Sequence, residues 1–197
     1  RARAVAFGYG AVWVVVRGAA ANQVLRIDPT SGDVTRRIRF PATAPIDGLT
    51  AGLGGVWVTA SSSATLYRID PRSAAVTGRI DLGLHAARPE VALGSIWVGL
   101  SDLGGDTVIV DPRTLGVVQH LGCCPPARGY FAGGYGSTWM YDAPTGTLVR
   151  WDGSTHGIAA TIHLSDTPGL NGPCLTSVAP GAGAVWVTAG PHVYFAC

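Results

Sequence analysis

His85, Arg88 and Glu90 share one eight-residue segment, GLHAARPE (83–90). An imidazole five residues from a carboxylate is the material for a general base and the group that orients it. Arg88, and Arg128 in GCCPPARG (122–129), carry planar guanidinium groups suited to gripping a carboxylate at two points. Asp47, in PATAPIDG (41–48), and Tyr130 complete a candidate ligand-binding set of Asp47, His85, Arg88, Glu90, Arg128 and Tyr130. Against this stands a plainer reading, in which they are surface residues joined by an ion pair such as Arg88 with Glu90. Asp102, Asp106, Tyr141 and Asp142 are further loop candidates, while His192, beside Pro191, reads as a strand-edge residue.

Other chemistries are excluded by what the chain lacks. All 14 basic residues are arginine, so Schiff-base, lysine-base and P-loop lysine mechanisms have no residue to act through. Glu90 is the one glutamate, which leaves carboxylate chemistry to the aspartates. No G-x-S-x-G elbow or H-E-x-x-H helix is present, and the Ser61–Ser63 run reads as a polar loop. Cys123 and Cys124 with His120 form the single metal-like grouping, but adjacent cysteines chelate one ion poorly and no CxxC half accompanies them. Neither a metal site nor a cofactor is therefore expected. The four cysteines, Cys123, Cys124, Cys174 and Cys197, permit two disulfides in three connectivities, or free buried thiols.

A net charge of +2 gives no electrostatic footprint for nucleic acid, and the Arg36-Arg37-x-Arg39 cluster reads as an exposed strand edge. The longest strongly apolar run, AVWVVV, is far too short to span a membrane as a helix. The chain opens at Arg1 without methionine, as a trimmed or excised segment would.

The elements that must position these residues are written as a repeat. The phrases GAVWV (10–14), GGVWV (54–58), GSIWV (94–98), GSTWM (136–140) and GAVWV (183–187) place Trp13, Trp57, Trp97, Trp139 and Trp186 at spacings of 44, 40, 42 and 47 residues. That period matches four-stranded propeller blades. Each copy opens with a short apolar strand: AVAFG (4–8), GLTAG (48–52), EVALG (90–94), YFAGG (130–134) and TSVAP (176–180). The tryptophan strand follows after a tight glycine turn, then a strand ending in aspartate at Asp28, Asp70, Asp111 or Asp152, then an alternating fourth strand. These aspartates are turn formers, with Gly32, Gly116 and Gly157 expected as the left-handed closing residues and Ala74 as the exception. The tryptophans are expected to fill the space between neighbouring sheets, and the small residues before them to let backbones pass closely near the axis. With no helix following, the phrase is not a dinucleotide loop.

The fold class expected is all-β: a β-propeller of four-stranded antiparallel blades over 3–40, 47–82, 89–121, 129–164 and 175–197, one domain with four complete repeats and a partial fifth. An unpaired seam edge is costly, so a share in a larger ring is favoured over closure by the partial blade. Copies such as GGVWVTASSSATLYRIDPRSAAVTGRIDL resemble the blades of bacterial YVTN/YncE-like propellers and of the related NHL and virginiamycin B lyase-like group. The resemblance covers nearly the whole chain but lies in blade-building residues. It implies an extracytoplasmic or secreted sensor, scaffold or binding domain that takes a protein, peptide or glycan on its loop face. Two alternatives stand beside it: a metal-assisted lyase or hydrolase of the lyase-like class, for which His85 is the candidate base near a divalent ion, and a structural subunit of an assembly.

Overall fold

The computed structural model describes residues 1–18, 21–83, 85–100, 106–121, 131–142, 147–155, 157–164 and 175–189. Apart from one 3-10 turn at Ser61–Ser63, every described element is a strand. The first sheet is β1 (Ala2–Gly8), β2 (Ala11–Arg17), β3 (Asn22–Ile27) and β4 (Val34–Phe40). The second is β5 (Ile46–Gly52), β6 (Gly55–Ala60), β7 (Thr65–Ile69) and β8 (Val76–Asp81). The third is β9 (Ala86–Ala92), β10 (Ser95–Leu100), β11 (Thr107–Val110) and β12 (Val117–Leu121). The fourth is β13 (Phe131–Gly134), β14 (Ser137–Asp142), β15 (Thr147–Asp152) and β16 (Gly157–His163). The fifth shows two described strands, β17 (Leu175–Gly181) and β18 (Ala184–Ala189). Strands pair antiparallel in chain order, and each sheet's first strand packs against the first strand of the next. This is a β-propeller.

The repeated phrase does something its composition did not announce. In all five sheets the indole Nε1–H donates to the carbonyl five residues earlier: Trp13 to Gly8, Trp57 to Gly52, Trp97 to Ala92, Trp139 to Gly134 and Trp186 to Gly181, at 3.0–3.2 Å. That carbonyl ends the first strand and precedes a two-residue turn. Both turn residues have positive φ, for example Leu53 at 51° and Gly54 at 77°. Such primed turns match the twist of a hairpin but normally take Asn-Gly. Here the first position is Tyr9, Leu53, Leu93, Tyr135 or Ala182, each in the left-handed region that costs an L-residue roughly 1–2 kcal/mol. The indole bond, worth about 1 kcal/mol, offsets much of that cost.

The same indoles are packing units. Trp13 and Trp57 are fully buried and Trp97 nearly so, each on the face turned to the following sheet. Arg26, Arg68 and Arg150 sit opposite Trp13, Trp57 and Trp139 in register, each guanidinium 5.8–5.9 Å from the ring centre. Ile109 takes that place opposite Trp97, whose ring instead meets Trp151 of the next sheet edge-on at 6.2 Å. Trp139 is half-buried, and Trp186 is 60% exposed because no sheet among the described residues covers it.

Two expectations are corrected. The third copy's first strand ends at Ala92 rather than Gly94, because Leu93 and Gly94 form the turn. The left-handed closing residue of the Asp turns is Gly32, Ala74 or Leu115, the fourth after its aspartate, where its N–H reaches the aspartate carbonyl at 2.9–3.0 Å. Gly116 lies one residue beyond that position, and Gly157 begins β16. The aspartates do form the turns. The Thr30, Ser73 and Arg113 amides and the Ser154 hydroxyl hold Asp28, Asp70, Asp111 and Asp152 below the usual carboxyl range.

Trp57→Phe keeps an aromatic ring but loses the N–H, and should lower stability by about 2 kcal/mol in denaturant unfolding. Leu53→Asn relieves the left-handed cost and should recover about 0.5–1 kcal/mol in either background.

Candidate functional site

Asp47 is the second residue of β5, at the end of the sheets where the blade-to-blade loops gather. One carboxylate oxygen lies 2.7 Å from Arg17 Nη1 and 3.6 Å from Arg3 Nε, both on the first sheet. The other accepts a hydrogen bond from Ser61 Oγ at 2.6 Å, at the end of β6. Asp47 is therefore a clasp between the first two sheets, with both oxygens engaged. The glycine after it lets the third sheet approach. A Cβ on Gly48 would lie 2.9 Å from the Arg88 Cα and 2.6 Å from Pro89 Cδ. Arg88 thus stands on the neighbouring inner strand, exposed, and makes no hydrogen bond or ion pair among the described residues. The Arg3, Arg17 and Arg88 strands thus meet around the Asp47 carboxylate.

His85 lies exposed just before β9, on the same rim. Glu90 is not drawn towards it. Glu90 pairs in register with Trp97 and is half-buried in the seam between the third and fourth sheets, where the Gly133 amide favours its charged form. At the equivalent place, seven residues before the tryptophan, the other sheets carry Ala6, Thr50, Ala132 and Ala179. The imidazole–carboxylate pair the structure does assemble is His120 with Asp106, Nδ1 to Oδ2 at 3.1 Å, where Asp106 Oδ1 also accepts the Thr107 N–H at 2.8 Å. Sequence reading missed this pair because 14 residues separate its members and only the β11–β12 hairpin brings them together. Tyr141 is buried inside the fourth sheet's core. Among the described residues no three His, Cys, Asp or Glu side chains gather as metal ligands. Arg128, Tyr130, Asp102, His192 and the four cysteines lie outside the described residues, as does the Asp142 side chain.

Burial pushes the Glu90 carboxyl up from 4.5 to about 7, with the Gly133 amide acting in the opposite sense. Folded protein then holds a proton that unfolded chain has released. The stability this contributes is complete below pH ~4.5 and is lost as pH rises through about 7. With allowance for partial solvent access, unfolding midpoints between pH ~5 and ~8 should fall by an equivalent of about 1–2 kcal/mol. Glu90→Gln should flatten that slope; an unchanged slope would contradict this placement of the carboxyl.

Among solved structures, a streptogramin B lyase superposes with a TM-score of 0.72 at 16% identity, over 94% of this chain and 61% of the lyase. A catalytically inactive virginiamycin B lyase from Staphylococcus aureus, solved with quinupristin, gives 0.73 at 18% identity over 95% and 62%. BamB from Moraxella catarrhalis gives 0.61 at 17% identity over 92% and 53%. The chain thus spans about three fifths of the length of either lyase. No family model and no curated protein matches the sequence. No described helix is long and apolar enough to cross a membrane. At these identities the likeness establishes the architecture alone: the chain folds as a β-propeller.

Proposed function

We propose that this chain is a non-enzymatic propeller module, acting outside the cytoplasm, that binds a carboxylate-bearing protein, peptide or glycan on its loop face. The observation that carries this reading is Arg88, an exposed guanidinium without a partner among the described residues, beside a clasp in which Arg3 and Arg17 share the single Asp47 carboxylate. Around Asp47, Arg3, Arg17 and Arg88 thus bring three guanidinium groups to one carboxylate. Guanidinium groups carried on paired strands suit planar, two-point recognition of carboxylates. The extracytoplasmic placement rests on the blade resemblance alone.

A second reading, metal-assisted elimination or hydrolysis with His85 as base, is favoured by the superposition on lyases. It requires turnover that depends on a divalent ion and is lost in His85→Ala.

Screening against acidic peptides and uronate- or sialate-bearing glycan arrays tests the first reading. Binding should weaken about ten- to a hundredfold in Arg88→Ala and fall with added salt, since charge-assisted contacts are worth roughly 1.5–3 kcal/mol. Binding indifferent to Arg88 and to salt would remove the assignment.

A further inference from the structure

The outermost strand of the first sheet carries charge that the rest of the fold does not use. β4 (VTRRIRF) lies at the edge away from the first strands, and among the described residues no strand pairs with its outer side. From Arg36 to Phe40 it runs in unbroken register with β3, so its free edge offers a regular row of N–H and C=O groups. Arg36, Arg37 and Arg39 are exposed along it, whereas Ile38 and Phe40 are buried in the core shared with the second sheet. Arg36 Nη1 donates to the Thr35 carbonyl at 2.8 Å, while Arg37 and Arg39 make no hydrogen bond or ion pair among the described residues. The acids of this sheet, Asp28 and Asp33, sit at the β3–β4 turn, and the Asp28 carboxylate is taken by the Thr30 and Ser31 amides.

Place in the fold does not by itself call for this charge. In register, Arg37 corresponds to Arg79, His120 and Thr161 in the next three sheets, and Arg39 to Asp81 and His163. All of these are exposed although a preceding sheet packs against each of theirs, so the exposure of Arg37 and Arg39 belongs to the outer strand itself. Charges on edge strands commonly serve to keep other edges away. The second sheet meets that need with Arg79 and Asp81, which balance, and the third and fourth carry only His120 and His163 on β12 and β16. The arginines of β4 exceed it, and all have one sign.

We propose that β4 is a docking edge for an extended acidic peptide segment of another protein, which adds to the first sheet as a further strand. Arg37 and Arg39 point to one face roughly 6.6 Å apart, the repeat of alternate side chains in a strand, and Arg36 points to the other. Acids at every second residue of an added strand therefore fall opposite Arg37 and Arg39 as cross-strand partners. Charge also selects against other occupants. A second copy paired antiparallel about Ile38 would set Arg37 against Arg39 on both strands, and like charges directly opposite repel. A flat or helical polyanion meets the arginines of one face and leaves the strand edge unused. This surface is separate from the loop face, and the proposal does not rest on the reading of that face.

The test uses the whole chain and a short fluorescein-labelled peptide that alternates glutamate with valine. Anisotropy should show saturable binding, and in the complex amide exchange should slow by about tenfold or more at alternate residues of 36–40. Arg37→Gln combined with Arg39→Gln should weaken binding about tenfold, whereas Arg79→Gln, at the same place in the second sheet, should leave it unchanged. Methylating the backbone nitrogens of the peptide's glutamates, or those of its valines, should abolish binding in one case and spare it in the other. An added strand turns only alternate N–H groups toward its neighbour. Binding that ignores Arg37 and Arg39, or that treats the two methylated peptides alike, would overturn the proposal. So would heparin or phosphatidylserine vesicles that bind as tightly as the peptide, since they would assign these arginines to polyanions at large.

Discussion

A single carbonyl oxygen with two calls on it organises this molecule. In each sheet the last carbonyl of the first strand serves the hairpin and also accepts the indole N–H from five residues on. The bond ties the tryptophan to its own turn before it packs against anything else. The ring is then held at a fixed height on the sheet face turned to the next blade. Turn residues as unsuited to positive φ as Tyr9, Leu53 and Leu93 are tolerated because this anchor recurs. Some of them also reach across. The Tyr9 hydroxyl accepts the Gly54 N–H of the second sheet at 2.7 Å, and Leu93 packs where a Cβ on Gly153 would be.

From that anchor the seams follow, and from the seams the rim. With the indole fixed, the space left between neighbouring first strands admits one side chain, and glycine on one partner or the other provides it. Close approach brings the ends of β1, β2, β5 and β9 together, so that Arg3, Arg17, Asp47 and Arg88 occupy one edge although 85 residues separate the first from the last. Glu90 shows the opposite use of a seam. A carboxyl stands where other sheets have alanine or threonine, and burial raises its proton affinity.

The architecture was legible because it is written repeatedly at one period: the tryptophan phrase five times, the Asp turn and its following strand four times. Gly116 was the natural choice for a left-handed residue, but hydrogen-bond geometry counts four residues from Asp111 and reaches Leu115 whatever its side chain. The indole clamp was invisible because tryptophan burial and tryptophan hydrogen bonding share one sequence signature. The rim was only partly legible. Asp47 and Arg88 stood out as loop residues, yet nothing local says that Arg3 and Arg17 fold onto Asp47 or that Asp106 finds His120. Those pairings depend on which strand ends the topology gathers.

The central claim, that the indole N–H holds the turn independently of ring burial, is tested most directly by indole hydrogen exchange read by NMR at each tryptophan. Trp186 decides, since its ring is largely exposed while its N–H lies 3.1 Å from the Gly181 carbonyl. The account predicts slowed exchange at Trp186 as well as at the buried Trp13, Trp57 and Trp97. Exchange at the rate of a free indole at Trp186, with protection only at the buried rings, would show that packing alone holds the tryptophans and that the clamp is incidental.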